Sequence, residues 1–386
     1  MSKNNKAWLA IAGVLILIAA ILAFLARART DTTVTIGALF PLTGGLSSYG
    51  EPAQKAAQLA VDEINASGGI RGRMLAIDFQ DHQCDPKTAV SAFESLHDAK
   101  GVRLFTAVAC SGTISSLAPK LTDSVVLGST ITAASLSGIS PWVFRDYASD
   151  ENGAKLFADY IAQKGYKRVG AIYEQTDYAK GLVLSLQKFL AGTGVDVEAE
   201  GFATNATDVS TQVSKLKAAQ PDIVFVSPQT VSSGAVVLGE FERQGYQPKL
   251  MVNENVLKSS DLLSRYSSLL EGAVSDSYVV ADSSSLQSLM QKYKQKYGTD
   301  CPIENLCSTV YDNVYLLADA ARAQQLGARS PGSTEVSAES VKEYLEKVDY
   351  QGTSGEIRFG QNHDRENADF TLFLIQGGKG APLVSK

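Results

Sequence analysis

An alternation constrains this chain more than any other feature. From Thr33 onward, short apolar runs take turns with longer stretches of helical periodicity, and the rhythm occurs twice. Val34–Phe40 is an apolar run that ends at Pro41. Glu51–Asn65 follows, with apolar positions at Ala53, Ala56, Ala57, Ala60, Val61 and Ile64, and stops at Gly68 and Gly69. That spacing is the signature of one buried helix face. Leu75–Phe79 reads as a strand, Lys87–Ala99 as a helix behind Pro86, and Arg103–Ala109 and Ser124–Gly128 as further strands. Strands separated by helices pair in parallel, because the crossover carries the chain back to the starting edge. Helices then cover both faces of the sheet.

The second round begins with the strand Arg168–Tyr173 and the helix Tyr178–Leu190. Val195–Gly201, Asp222–Ser227 and Lys249–Val252 read as strands, with helices at Thr207–Ala219 and Ser233–Gln244 between them. A last stretch holds the strand Ala273–Val280, the helices Ser284–Tyr297, Thr309–Gln325 and Ser337–Lys347, and the strands Gly355–Phe359 and Phe370–Ile375. The polar segment Gly327–Glu335 reads as a surface loop. At 386 residues the chain exceeds what one hydrophobic core normally serves. The expectation is two doubly wound, Rossmann-like α/β units. Such sheets bind ligands beyond the carboxyl ends of their strands, so residues just after strands are the candidates for function.

The N-terminal segment differs from the rest. Lys3 and Lys6 precede an uncharged apolar run from Ala7 to Ala26, and Arg27 and Arg29 follow it. Twenty residues of helix span about 30 Å, the hydrocarbon thickness of a bilayer. A secretory signal usually has an apolar region of roughly 7–15 residues, so residues 1–29 read as a retained signal anchor, with a cleaved signal as the alternative. Either places the body outside the cytoplasm. No cysteine precedes Cys84, which excludes a lipid-modified anchor. Beyond residue 29 the chain keeps 31 basic against 41 acidic residues, a formal charge of −10. That balance argues against nucleic acid as a partner.

Four cysteines, Cys84, Cys110, Cys301 and Cys307, lie in the exported part. An even count in an oxidising compartment points to disulfides, with three connectivities open. Paired metal ligands two to four residues apart do not occur among them. The sequence holds no nucleophile elbow, phosphate-binding loop, zinc-protease helix or dinucleotide fingerprint. With three histidines in all, neither an enzyme nor a cofactor is expected.

The strand ends carry a different chemistry. Cys110-Ser111-Gly112-Thr113 follows one strand and opens a helix; hydroxyls and backbone N–H groups at a helix start suit a carboxylate. Ser129-Thr130-Ile131-Thr132 follows the next strand. In the second round, Asp177-Tyr178 follows one strand and Asn253-Glu254-Asn255 another. A carboxylate there can pair with an ammonium group through a charge-assisted bond. Singly, such serines and threonines serve more often as helix caps; their joint placement marks a site.

With these residues in view, the chain resembles the branched-chain amino-acid binding proteins of ABC transporters, which have the type I periplasmic binding fold. The resemblance runs from about Val34 to Gly378. It is carried by Ile36-Gly37-Ala38 with Pro41-Leu42-Thr43-Gly44 and Tyr49-Gly50, and by Ala60 to Asn65 with Gly68 to Gly72. Asp81 and Cys84-Asp85-Pro86-Lys87, Tyr178 to Leu182, Tyr311-Asp312 and Gly352 to Phe359 also match. The resemblance implies that Ser111 and Thr132 bind the ligand's carboxylate and amino groups and that Thr130 offers backbone contacts. It implies that Tyr49 packs on the ligand from the first unit and Tyr178 reaches it from the second, while Glu254 takes the α-ammonium. It also implies a Cys84–Cys110 disulfide, a constraint of roughly 3–4 kcal/mol in the chain-entropy model; a Cys301–Cys307 pair would close a much shorter loop.

One departure stands out: Gln229, in Ser227-Pro228-Gln229-Thr230, occupies a place where the family often keeps an aromatic. The implied architecture is two domains joined by three crossings, near Tyr147, Tyr278 and Gly352. Residues 30–147 with 279–352 form one domain, and 148–278 with 353–386 the other. The implied function is capture of a small polar solute by hinge closure, as a monomer, for delivery to a transporter permease. A ligand-sensing ectodomain and a binder of amides, urea or small organic acids are the alternatives.

Overall fold

The computed structural model describes residues 33–324 and 336–383. The apolar run 7–26 and the loop expected at 327–335 lie outside them. Among the described residues no helix is long and apolar enough to cross a membrane.

Fourteen strands are present among the described residues. The first five are β1 (Thr33–Phe40), β2 (Met74–Asp81), β3 (Leu104–Val108), β4 (Val125–Ser129) and β5 (Val143–Arg145). The second round gives β6 (Arg168–Glu174), β7 (Asp196–Phe202), β8 (Ile223–Ser227), β9 (Leu250–Val252) and β10 (Val274–Tyr278). A hairpin of β11 (Tyr350–Gly352) and β12 (Gly355–Ile357) precedes β13 (Phe370–Gln376) and β14 (Lys379–Pro382).

The first sheet has the order β2-β1-β3-β4-β5 and is parallel throughout. The second runs β7-β6-β8-β9-β10 and then β13-β14. Its first five strands repeat the order of the first sheet, strand for strand. In both, the chain reverses its direction of growth beside the first strand, and a crevice opens there at the carboxyl ends. The expectation of purely parallel sheets fails at one edge, because β13 and β14 are antiparallel to their neighbours. Gly377 and Gly378, both at positive φ, make a two-residue hairpin loop between them, and that geometry forces antiparallel pairing.

Strand periodicity divides the cores. In β8, Ile223 and Phe225 face one cluster and Val224 and Val226 the other. In β3, Leu104 and Val108 face one side and Phe105 and Ala107 the opposite one. Successive side chains of a strand point to opposite faces, and both strands are buried on both faces. The helix Glu304–Ala323 returns from far along the chain and lays Leu306, Val310, Val314 and Leu317 onto the first core.

The helix Asp150–Lys164 was not expected from the sequence, although Ala154, Phe157, Ala158 and Ile161 line its buried face. Ser149 caps its start and Gly165, in the left-handed region, ends it. The strands β5, β11 and β14 were likewise not expected, and the expected elements agree with the observed ones within about five residues. Short helices at Ser111–Leu117, Glu254–Leu257, Ser260–Arg265 and Ser267–Leu270 complete the connections that bear on the site.

The chain crosses between the two sheets after β5, after β10 and between β12 and β13. The third crossing lies later than Gly352. Ile357 and Phe359 belong to the first core, and the Phe359 ring meets Phe144 edge-on at 5.3 Å. The segment 353–359, expected with the second unit, therefore packs on the first. Asp312 holds it there: one carboxylate oxygen accepts from Thr353 N and Oγ1, both at 2.9 Å, and the other from Ser354 N at 2.7 Å and Oγ at 2.6 Å.

Candidate functional site

The seven residues singled out from the sequence, Tyr49, Ser111, Thr130, Thr132, Tyr178, Gln229 and Glu254, line one cavity between the two sheets. In this closed arrangement it leaves about 30 Å³ for water-sized groups. Each follows the carboxyl end of the first, third or fourth strand of its unit. Tyr49 comes after β1, Ser111 after β3 and Thr130 and Thr132 after β4; their counterparts are Tyr178 after β6, Gln229 after β8 and Glu254 after β9. Leu46, Ala109, Cys110 and Asn255 complete the lining. Of these, Asn255 was the omission that matters, since it stands beside Glu254 in sequence.

The first unit supplies hydroxyls on a constrained backbone. Ala109, Cys110 and Thr130 all lie at positive φ, between 55° and 58°. This conformation is uncommon for non-glycine residues and an outlier for a β-branched one, and strain of that kind gathers at binding sites. Thr130 Oγ1 ties the two loops together, accepting from Ala109 N at 3.0 Å and donating to its neighbour's carbonyl, Ser129 O, at 2.7 Å. Ser111 Oγ accepts from Ala133 N at 3.1 Å, which leaves its own hydrogen free to donate. Thr132 Oγ1 sits beside the Asp150 carboxyl and completes no hydrogen bond. The helix after Ser111 has only seven residues, so anion recognition rests on these hydroxyls more than on a helix dipole.

Tyr49 enters from the first turn of the helix Ser47–Ala66. That turn lies against the preceding loop so closely that a Cβ on Gly50 would sit 2.0 Å from Pro41 O. The contact requires glycine next to the tyrosine. Tyr49 Oη donates to Asn255 Oδ1 at 2.9 Å, joining the first unit to the second across the cavity. Nearby, a Cβ on Gly45 of the first unit would meet the Thr230 methyl of the second at 2.9 Å. The two units are closed on each other.

The second unit fixes its loops through side chains. Asn253 Nδ2 donates to Pro228 O and Asn255 Nδ2 to Gln229 O, each at 2.8 Å. The buried Glu174 accepts from Gln229 N at 2.9 Å. Thr230 caps the next helix through a reciprocal pair with Ser233, so it is a cap and not a site residue. Tyr178 is buried in the first turn of the helix Asp177–Leu190, which Thr176 caps.

Glu254 is the electrostatic centre. Its carboxylate accepts from Ser277 Oγ at 2.7 Å, from Tyr147 Oη at 3.2 Å and from Asn305 Nδ2 at 3.2 Å. These partners come from two crossings and a distant helix, and nothing local in the sequence signals them. Two more carboxyls stand close by. Burial pushes Asp150 up to about 8, with Arg145 opposing and the charge of Glu254 adding to the rise. Asp276 is raised well above the ordinary range by burial, then by Glu254 and Asp150. Burial and Glu254 likewise hold the Tyr49 and Tyr147 hydroxyls protonated. The Glu254 carboxylate and the hydroxyls of Ser111 and Thr132 thus line one cavity. This pairing suits a ligand with an ammonium on one side and a carboxylate on the other.

Cys84 pairs with Cys110, Cα to Cα 5.3 Å, and Cys301 with Cys307, 6.7 Å. The first pair anchors the Ala109–Ser111 loop at the cavity.

Comparison with known proteins agrees with this architecture. A "Leu/Ile/Val-binding protein homolog 3" from Brucella melitensis is 24% identical over 371 residues, covering 94% of this chain and 96% of the relative. The crystal structure of a leucine binding protein from Thermotoga maritima superposes with a TM-score of 0.78 at 19% identity, covering 91% of this chain and 98% of that one. A solute binding protein from R. palustris, solved with 4-hydroxybenzoate, gives 0.78 at 16% identity, with 92% and 96% covered. A family model described as periplasmic binding protein matches residues 33–380. The chain belongs to the periplasmic binding protein family.

Proposed function

We propose that this protein captures an α-amino acid outside the cytoplasm by closing its two domains on it, and delivers it to an ABC transporter. One observation carries the reading: residues from both sheets converge on a single cavity with a carboxylate and hydroxyls in its lining. Glu254 would hold the ammonium group. Ser111 and Thr132 would hold the carboxylate, with Thr130 shaping the loop and Tyr49 and Tyr178 covering the ligand from either side. Contacts made from both domains favour the closed state only by their excess over contacts made to the open one. The division into residues 30–147 with 279–359, and 148–278 with 360–386, is part of the same reading, with the hinge in the three crossings. So is attachment to the membrane through residues 7–26, whose length and basic flanks suit a span.

The names of the Brucella and Thermotoga relatives support an amino acid. The 4-hydroxybenzoate complex of the R. palustris protein raises an organic acid as the alternative. Glu254 weighs against it, since an acid without an ammonium would set its charge in the same small cavity as an unpaired carboxylate. A thermal-shift screen of the purified full-length protein against α-amino acids, simple amides, urea and aromatic acids tests the reading. At 100 times its dissociation constant a ligand stabilises by about 2.7 kcal/mol. A shift with α-amino acids and none with the acids is the expected result; stabilisation by aromatic acids alone would overturn it.

A further inference from the structure

We infer that the bound amino acid carries a carboxamide on its side chain and that Gln229 is the residue that reads it. The inference rests on the amino-acid reading above and narrows it. Gln229 is 6% exposed and lines the cavity. Its backbone is held at both ends, by Glu174 on the N–H and Asn255 on the carbonyl. Its side-chain amide makes no hydrogen bond among the described residues. An amide that lines the cavity without a partner among them is available to pair with a ligand. A site built for an aliphatic ligand gains nothing from a glutamine here.

The other cavity groups are accounted for without it. Glu254 faces the ammonium, and the Ser111 and Thr132 hydroxyls face the carboxylate. Asn255 cannot be the reader, because its oxygen is taken by Tyr49 and its nitrogen by the Gln229 carbonyl. The Gln229 amide offers both donors and an acceptor. Its full complement is another amide, which can return N–H to C=O in both directions. The Tyr178 hydroxyl, also in the cavity lining and without a partner among the described residues, supplies a further polar contact. Among the common α-amino acids, asparagine and glutamine carry that group on the side chain.

Calorimetric titration of the full-length protein with asparagine, glutamine, leucine, isoleucine and valine decides the matter. An unsatisfied amide in the site should make the amides bind at least tenfold more tightly than the aliphatic acids. Gln229→Leu should reverse the order. Gln229→Glu, which keeps the length and removes the N–H donors, should weaken the amides about tenfold and so remove most of their advantage over the aliphatic acids. Leucine binding as tightly as the amides, in the protein as it is, overturns the inference and leaves the amino-acid reading standing. Binding of none of the five overturns the inference too, and the wider thermal-shift screen then decides the amino-acid reading.

Discussion

Arg365 and Asp146 form a buried ion pair that links the first and third crossings, with Nη1 to Oδ1 at 2.9 Å and both side chains almost wholly out of solvent. Their neighbours repeat it in the opposite sense, Arg145 to Asp364 at 2.6 Å. Arg145 also donates to the carbonyls of Thr132 and Ala133, each at 2.9 Å. The crossings are thereby wired to the loop that carries a cavity hydroxyl. Arg365 reaches further, to Ser354 and the Glu356 carbonyl, and so holds the β11–β12 hairpin in place.

The two halves of the Arg365–Asp146 pair should respond differently to mutation. Burial raises the Asp146 carboxyl to about 7 even with Arg365 opposing it. In Arg365→Met the aspartate can escape by taking up a proton, so the loss of stability should grow by about 1–1.5 kcal/mol between pH 5 and pH 8. In Asp146→Asn the arginine cannot discharge and the raised aspartate no longer titrates, so the loss should be larger at pH 5 than at pH 8, by about 2–3 kcal/mol. Urea denaturation of both variants at the two pH values checks this; equal pH dependence would refute it.

Glu254→Gln should cripple recognition and spare the fold. The amide oxygen can still accept from Ser277, Tyr147 and Asn305, but the charge that faces an ammonium is gone. Affinity for the preferred amino acid should fall at least a hundredfold, with the unliganded melting temperature changed by no more than a few degrees. Titration calorimetry and a melting curve read the two quantities; unchanged affinity would rule out an ammonium against Glu254.

Stability should decline between pH 6.5 and 8. Asp150 is raised to about 8 and Asp276 is also raised, so the folded protein keeps protons that the unfolded chain has released. Such groups stabilise fully below about pH 4, the ordinary aspartate value, and the contribution is lost as pH rises through the folded pKa. His82 acts in the opposite sense. Burial lowers it to about 4, and its contribution is lost only as pH falls below 6.5. Above that value the acids dominate. Melting temperature against pH should slope downward there, and Asp150→Asn should flatten the slope.

Tyr49→Phe removes one hydrogen bond between the two units, to Asn255, and little else. A net hydrogen bond is worth about 0.5–1.5 kcal/mol, so affinity should fall between about twofold and tenfold. The bond exists only when the units are closed, so the change should appear in the release rate. Stopped-flow dissociation measures it; an effect confined to association would place the bond elsewhere in the cycle.

Much of the site was legible before the fold was known, for a specific reason. In a parallel α/β sheet the residues after each strand face the same edge. Strand ends therefore picked out Ser111, Thr130, Thr132, Tyr178 and Glu254 without any knowledge of how the sheets meet, while Gln229 came from the family resemblance. The repeat of strand order β2-β1-β3-β4-β5 in β7-β6-β8-β9-β10 makes that rule hold in both halves. The helix Asp150–Lys164 carried a readable pattern in Ala154, Phe157, Ala158 and Ile161 and was missed all the same. The late crossing was harder. Ile357 and Phe359 look like the end of any strand, and only the packing of Phe359 on Phe144 shows which core takes them.

Local pattern by itself determined the alternation of strand and helix, the two-unit plan and the kind of chemistry at the strand ends. Each of these depends on neighbours within a few residues, through backbone hydrogen bonding and the period of apolar side chains. Tertiary structure alone decided what surrounds Glu254. Tyr147, Asn305 and Ser277 reach it from 107, 51 and 23 residues away, and the hinge pair joins residues 219 apart. The electrostatics of the cavity come from desolvation and from charges brought together by folding, and neither is written in the order of residues along the chain.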